Sequence, residues 1–174
     1  MNTILIGYRC CGKTSVGKLL ADSLSCDFAD TDNIIETRCK AAIEKIVADK
    51  GWDYFRQMET RVLQELVHKK NQVIATGGGM VVAPENQVIM KHHGFVVWLT
   101  ADVHTIVQRL DADLQNQASR PRFTTRSLLS ETRDILARRV PIYEELACMT
   151  VDTTAHSPEE IAGIIKRRHD HVRI

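Results

Sequence analysis

Residues Gly7 to Thr14 read Gly-Tyr-Arg-Cys-Cys-Gly-Lys-Thr, directly after the apolar run Ile4-Leu5-Ile6. Two glycines five positions apart, with Lys-Thr after the second, form the pattern of a turn that wraps phosphates. Such a turn points backbone N–H groups inward, and a helix starting at its end adds the positive pole of its dipole. Gly7, Cys10, Cys11, Gly12, Lys13, Thr14 and Ser15 are therefore candidate contacts for a nucleotide such as ATP. Lys13 can place its ammonium between the outer phosphates, and the Thr14 hydroxyl can ligate Mg²⁺.

Three further clusters bear on what receives a phosphate. Asp30-Thr31-Asp32 follows an apolar run. At the carboxyl end of a parallel strand, one carboxylate can support a metal through water while the other accepts a proton from an attacking hydroxyl. Asp and Thr also cap helices, and the two roles can coexist. Arg56 and Glu59 lie three apart on a helix and can pair. Such a pair is either surface decoration worth little, or a device that presets the guanidinium as a carboxylate clamp. Thr76 precedes Gly77-Gly78-Gly79, where a ligand can approach bare backbone. An Arg for a carboxylate, with Asp and glycine backbone for hydroxyls, describes a pocket for a small anionic polyol.

The elements that must position these groups alternate between apolar runs and helical periods, which predicts a parallel sheet flanked by helices. Strands are expected at Thr3–Ile6, Asp27–Ala29, Val73–Ala75, Phe95–Leu99 and Met149–Val151. Helices are expected at Ser15–Ser25, Asp32–Arg38, Ala41–Lys50, Trp52–His68, Pro84–His92, Asp102–Leu110, Leu128–Tyr143 and Pro158–Arg168. Ser157, Pro158 and Glu160 spell a capping box at the start of the last. The polar stretch 111–126 holds three arginines and breaks the rhythm. Beside a phosphate loop it reads as a lid that excludes water and delivers an arginine, in preference to a solvated insertion.

The 174 residues suit a single domain. A net charge of +1 offers no global field for nucleic acid or a membrane surface, so an anion site must gather its arginines locally. Five cysteines, with no Cys-x-x-Cys pair and no histidine at zinc spacing, point to reduced thiols and a cytoplasmic setting. Cys10 and Cys11 sit where a helix N-terminus can lower a thiol pKa, which leaves redox sensing as an alternative to simple tolerance of small residues.

The ordered set of motifs resembles the shikimate kinases over roughly Thr3 to Arg168. It comprises the phosphate loop at 7–14, Asp-Thr-Asp at 30–32, Phe-Arg-x-x-Glu at 55–59, Gly-Gly-Gly at 77–79, Arg-Pro at 120–121 and Arg-Val-Pro-Ile-Tyr at 139–143. The resemblance implies a five-stranded parallel sheet of the nucleoside-monophosphate-kinase type with a mobile lid. It also implies ATP-dependent phosphorylation of the shikimate 3-hydroxyl, on the route to chorismate and the aromatic amino acids; a monomer is expected. By position it implies Lys13 and Arg120 at the phosphates, Arg109 against the adenine, Thr14 and Asp30 at Mg²⁺, and Asp32 at the acceptor hydroxyls as candidate base. Arg56 and Arg139 would clamp the carboxylate, beside Gly77, Gly78 and Gly79. Arg139 shares its helix with Arg133 and Arg138, most such arginines being solvated, and Arg109 could equally serve a helix C-terminus. Cys10 stands where the family commonly has glycine, and Arg122 and Phe123 follow Arg-Pro where smaller residues are commoner. Rival readings are a kinase for gluconate or a nucleoside monophosphate, a non-catalytic nucleotide-binding module, and a nucleic-acid binder, the last disfavoured by the neutral charge.

Overall fold

A computed structural model describes residues 1–116 and 127–172. Its centre is a sheet of five strands: β1 (Asn2–Ile6), β2 (Asp27–Asp30), β3 (Gln72–Ala75), β4 (Gly94–Thr100) and β5 (Met149–Asp152). The spatial order is β2-β3-β1-β4-β5 and every pairing is parallel. Each expected strand is present, extended by one residue at one end or, for β4, at both.

Alternation along the strands builds two cores. Ile4, Ile6, Ile74, Val96 and Trp98 face one layer of helices. Leu5, Val73, Phe95, Val97, Leu99 and Val151 face the other. A strand buried on both faces must be apolar throughout, which is why Phe-Val-Val-Trp-Leu occupies the interior of β4. Full burial of one such large aliphatic side chain contributes about 1.5–3 kcal/mol.

The helices are α1 (Lys13–Leu24), α2 (Thr31–Cys39), α3 (Ile43–His68), α4 (Pro84–His93), α5 (Val103–Asn116), α6 (Leu128–Leu146) and α7 (Pro158–Val172). Two helices were expected where α3 runs, and Gly51 marks the break: its φ of 83° and ψ of 167° are non-helical inside α3. At the start of α7 the Ser157 N–H donates to Glu160 Oε2 at 2.8 Å, and the Glu160 N–H donates to Ser157 Oγ at 3.2 Å, the expected capping box. A 3-10 turn at Met80–Val82 was not anticipated.

One boundary differs in a way that matters. The polar stretch expected as a lid over 111–126 begins inside α5, which continues to Asn116 rather than ending at Leu110. No glycine or proline interrupts 103–116, so nothing stops the helix where the apolar residues run out. Residues 117–126, including Arg120, Arg122 and Phe123, lie outside the described residues.

Because all strands are parallel, their carboxyl ends open on one edge. The phosphate loop after β1, the acidic turn after β2, the glycine run after β3 and Thr153 after β5 therefore share a rim.

Candidate active site

The phosphate loop is shaped by its backbone. Gly7 has φ 139°, and a Cβ there would lie 2.2 Å from the Leu99 carbonyl oxygen of the neighbouring strand, so no side chain fits. Gly12 caps α1 with φ 84°. Cys10 adopts φ 58°, a left-handed conformation that side chains resist. That conformation explains why the family pattern favours glycine at this position.

Lys13, the first residue of α1, is half-buried rather than exposed. Its ammonium donates to the carbonyls of Gly7 at 2.9 Å and Tyr8 at 2.6 Å. Burial pushes its pKa below the ordinary lysine value, opposed by Cys11, Asp32, Cys10 and Asp30. Cys11 is 1% exposed, and burial pushes its thiol up against the pull of Lys13 and Arg109. The depressed thiol pKa that a helix N-terminus can produce is thus absent at Cys11.

Arg109 lies mid-helix in the lengthened α5, which removes the helix-end alternative. It donates to Thr153 Oγ1 at 3.0 Å, to the Thr153 carbonyl at 2.8 Å and to the Cys10 carbonyl at 3.4 Å. It ties the phosphate loop to the end of β5 and lines the pocket beside that loop with Lys13, Thr14 and Ser15.

Asp30 fills the capping role and also reaches the phosphate loop. Its Oδ1 caps α2 by accepting from the N–H groups of Asp32 at 3.1 Å and Asn33 at 3.3 Å. Its Oδ2 accepts from the Thr14 hydroxyl at 2.7 Å. Thr31, fully buried, accepts from the Gly77 N–H at 2.9 Å and so joins the acidic turn to the glycine run.

The glycine run is held to β1 by Thr76, whose N–H and hydroxyl both donate to the Leu5 carbonyl. Each glycine makes room for something charged or for backbone. A Cβ on Gly77 would lie 2.5 Å from Asp32 Oδ1 and 2.9 Å from Glu59 Oε1. On Gly78 it would crowd the Arg9 nitrogen at 3.3 Å, and on Gly79 it would meet Arg56 Nη2 at 2.5 Å.

Arg56 and Glu59 are not surface decoration. Glu59 is 1% exposed and paired with Arg56, whose guanidinium also lies 5.3 Å from the Trp52 ring centre and 5.4 Å from that of Phe55. Burial pushes the Glu59 carboxyl up to about 7, although Arg56 draws it down. Burial outweighs the ion pair here because a carboxylate loses more hydration than one guanidinium returns.

Arg139 separates from its helix neighbours in the same way. Arg133 and Arg138 are exposed, whereas Arg139 donates to the Gly78 carbonyl at 2.9 Å. The Tyr143 hydroxyl donates to that carbonyl at 2.8 Å, its pKa raised to about 12 by burial. Arg56, Arg139, Asp32 and all three glycines line one pocket, walled on its apolar side by Ile43, Val47, Trp52 and Phe55. Asp32 and Gly78 also line the pocket beside the phosphate loop, as does Arg9.

A deep phosphate cradle thus adjoins a pocket holding two arginines, and a family with this ordered pair of sites matches the chain. The shikimate kinase family model covers residues 9–169. The chain belongs to the shikimate kinase family. A shikimate kinase of Syntrophus aciditrophicus is 41% identical over 180 residues, covering 99% of this chain and 92% of that protein. The structure of the shikimate kinase from Acinetobacter baumannii in complex with shikimate superposes with a TM-score of 0.91 at 35% identity, covering 99% of this chain and 94% of that one. The Aquifex aeolicus shikimate kinase structure gives 0.84 at 30% identity, covering 100% and 99%.

In this shikimate kinase the described residues put Gly7, Cys10 to Ser15, Asp30, Asp32, Arg109 and Thr76 to Gly79 on one rim, with Arg56 and Arg139 reaching in from α3 and α6. Sequence reasoning gave no role to Tyr8, Arg9 or Trp52, and it quoted Tyr143 without assigning one. Tyr8 and Arg9 occupy positions that the loop pattern leaves unspecified, so no spacing rule signals them. Among the described residues no helix is long and apolar enough to cross a membrane.

Proposed function

We propose that this shikimate kinase passes the γ-phosphoryl group of ATP to the 3-hydroxyl of shikimate where its two pockets join. The observation that carries this reading is the shared wall: Asp32 and Gly78 line both the phosphate cradle and the pocket that contains Arg56 and Arg139.

Each residue then has a physical task. Lys13 exchanges its hydrogen bonds to the Gly7 and Tyr8 carbonyls for the β and γ phosphates. The backbone from Gly7 to Ser15 wraps those phosphates, and Arg109 meets the adenine from α5. Arg56, braced by Glu59, and Arg139, braced on the Gly78 carbonyl, clamp the shikimate carboxylate. Gly77, Gly78 and Gly79 allow the ring hydroxyls to reach backbone. Asp32 hydrogen-bonds the hydroxyl that attacks and receives its proton. Holding the acceptor in line and neutralising charge are the two contributions the chain makes, because phosphoryl transfer asks for position and charge neutralisation. Arg120 is proposed to neutralise charge on the transferring group.

Mg²⁺ suits the donors present. The Thr14 hydroxyl and the Asp30 carboxylate stand 2.7 Å apart beside the loop, few protein ligands of the kind a Mg²⁺ ion uses when phosphates and waters complete its shell. Thr14 would ligate such an ion and Asp30 would orient its water, and what the ion would supply is neutralisation of charge on the β and γ phosphates. One chain lines both pockets, which supports a monomer as the working form, and we place it in the cytoplasm with ATP and shikimate as its partners.

The test is ADP release from Mg²⁺-ATP with shikimate, gluconate, a nucleoside monophosphate, or no acceptor. Release that depends on shikimate alone is expected. Equal release with gluconate would discard the acceptor assignment, and release without any acceptor would discard the kinase reading.

A further inference from the structure

A group that moves from the nucleotide pocket to the acceptor pocket must pass the residues common to both, which are Arg9, Asp32 and Gly78 among the described residues. Asp32 offers a carboxyl group, and the Gly78 carbonyl already accepts from Arg139 and Tyr143. Arg9 is the cation of this set. Its guanidinium lies 5.7 Å from the centre of the Tyr8 ring, and that of Arg139 lies 5.9 Å from the same ring. Tyr8 is 1% exposed, so the ring is a fixed platform bearing one guanidinium on the acceptor side and one at the junction. The Arg9 backbone packs close to Gly78, which sets the guanidinium's origin at the meeting point.

We propose that Arg9 is a further catalytic residue, which binds the phosphoryl group during transfer and holds it on the product. The inference rests on the phosphoryl transfer proposed above. In that step the bond from the γ phosphorus to the bridging oxygen breaks, and its electrons leave with ADP. A bond forms from the acceptor oxygen to phosphorus, and the hydroxyl proton goes to Asp32. Arg9 exchanges no proton and forms no bond. It presents a fork of donors to the equatorial oxygens, on which negative charge spreads. Because a buried ring supports it, this charge needs little reorganisation as the reaction proceeds.

The experiment uses the full chain with Arg9→Gln and Arg9→Lys, measured for kcat, for both KM values, and for calorimetric binding of shikimate and of shikimate 3-phosphate without nucleotide. Arg9→Gln is expected to lower kcat about 100-fold, the loss typical of removing one charge-stabilising donor. Its affinity for shikimate should stay within about twofold of the parent, while affinity for shikimate 3-phosphate falls about tenfold, as for a lost charge-assisted hydrogen bond. Arg9→Lys should recover part of both losses. An unchanged kcat, or equal weakening of shikimate and its phosphate, would overturn the proposal, because a structural role moves both ligands together. Should Arg9→Gln fail to fold, the product-over-substrate binding difference in Arg9→Lys decides alone. Parent enzyme without shikimate-dependent turnover strikes the proposed function instead, so the two failures are distinguishable.

Discussion

Replacing Glu59 with Gln separates the cost of a buried carboxylate from its service to Arg56. Glu59 is 1% exposed, and burial raises its carboxyl from 4.5 to about 7 despite the adjacent Arg56 and the more distant Arg139, with Asp32 adding to the rise. Between those values the folded chain keeps a proton that the unfolded chain has released. A group whose folded pKa lies above its unfolded one gives its full stability below the unfolded value and loses it as pH climbs through the folded value. The gap from 4.5 to about 7 corresponds to about 3 kcal/mol. Gln never ionises and still offers a carbonyl to the guanidinium. The unfolding free energy of Glu59→Gln relative to the parent should therefore increase by about 3 kcal/mol from pH 4.5 to pH 8, and level off above. Urea unfolding at constant ionic strength, in half-unit pH steps, reads this directly. A difference that is flat with pH, or falls as pH rises, would refute the reasoning, because it would mean the ion pair outweighs burial. At pH 8 the same variant should show a raised KM for shikimate and an unchanged KM for ATP, since Arg56 alone loses its ionic brace.

Lys13→Ala should lower kcat about 100-fold or more, and losing its bonds to the Gly7 and Tyr8 carbonyls should cost about 1–3 kcal/mol of stability, measured by turnover and urea melts. Gly79→Ala places a Cβ 2.5 Å from Arg56 Nη2 and must push the guanidinium off Glu59. A displacement of that kind should reduce kcat/KM for shikimate by up to about 100-fold, with KM for ATP little changed. Cys10→Gly relieves a left-handed residue at φ 58°. The relief of about 1–2 kcal/mol is offset by about 0.5–1 kcal/mol of glycine entropy, so the melting temperature should match or exceed that of the parent. Asp30→Asn should raise the Mg²⁺ concentration for half-maximal activity by about 10-fold or more, read from a Mg²⁺ titration after chelation.

Periodicity is a local property, so the strands and most helices could be placed from residue order alone. Helix ends were harder: α5 overran Leu110 because polar residues without glycine or proline continue a helix as readily as they leave one. The Arg56–Glu59 spacing was legible, but its meaning was not, since the same pair on an exposed face would count for little. What changed its meaning is tertiary: β3 delivers Gly77 and Gly79 against these side chains and closes Glu59 from water. Only its spacing to Pro141 and Tyr143 set Arg139 apart from Arg133 and Arg138 in the sequence, and in the fold the Gly78 carbonyl selects it. Tyr8 and Arg9 were illegible for the opposite reason. They lie within the most recognisable motif of the chain, at positions whose side chains the phosphate loop does not constrain, and only the junction of two pockets gives them work.

Where the phosphate arrives tests the account most directly. A phosphorus–proton correlation spectrum of the product made from ATP and shikimate reports which ring carbon bears the new ester. With Arg56 and Arg139 anchoring the carboxylate and Asp32 at the shared wall, the phosphorus should couple to the proton on carbon 3. Coupling to another ring proton, or inorganic phosphate as the sole new signal, would contradict the placement of the acceptor between the two pockets.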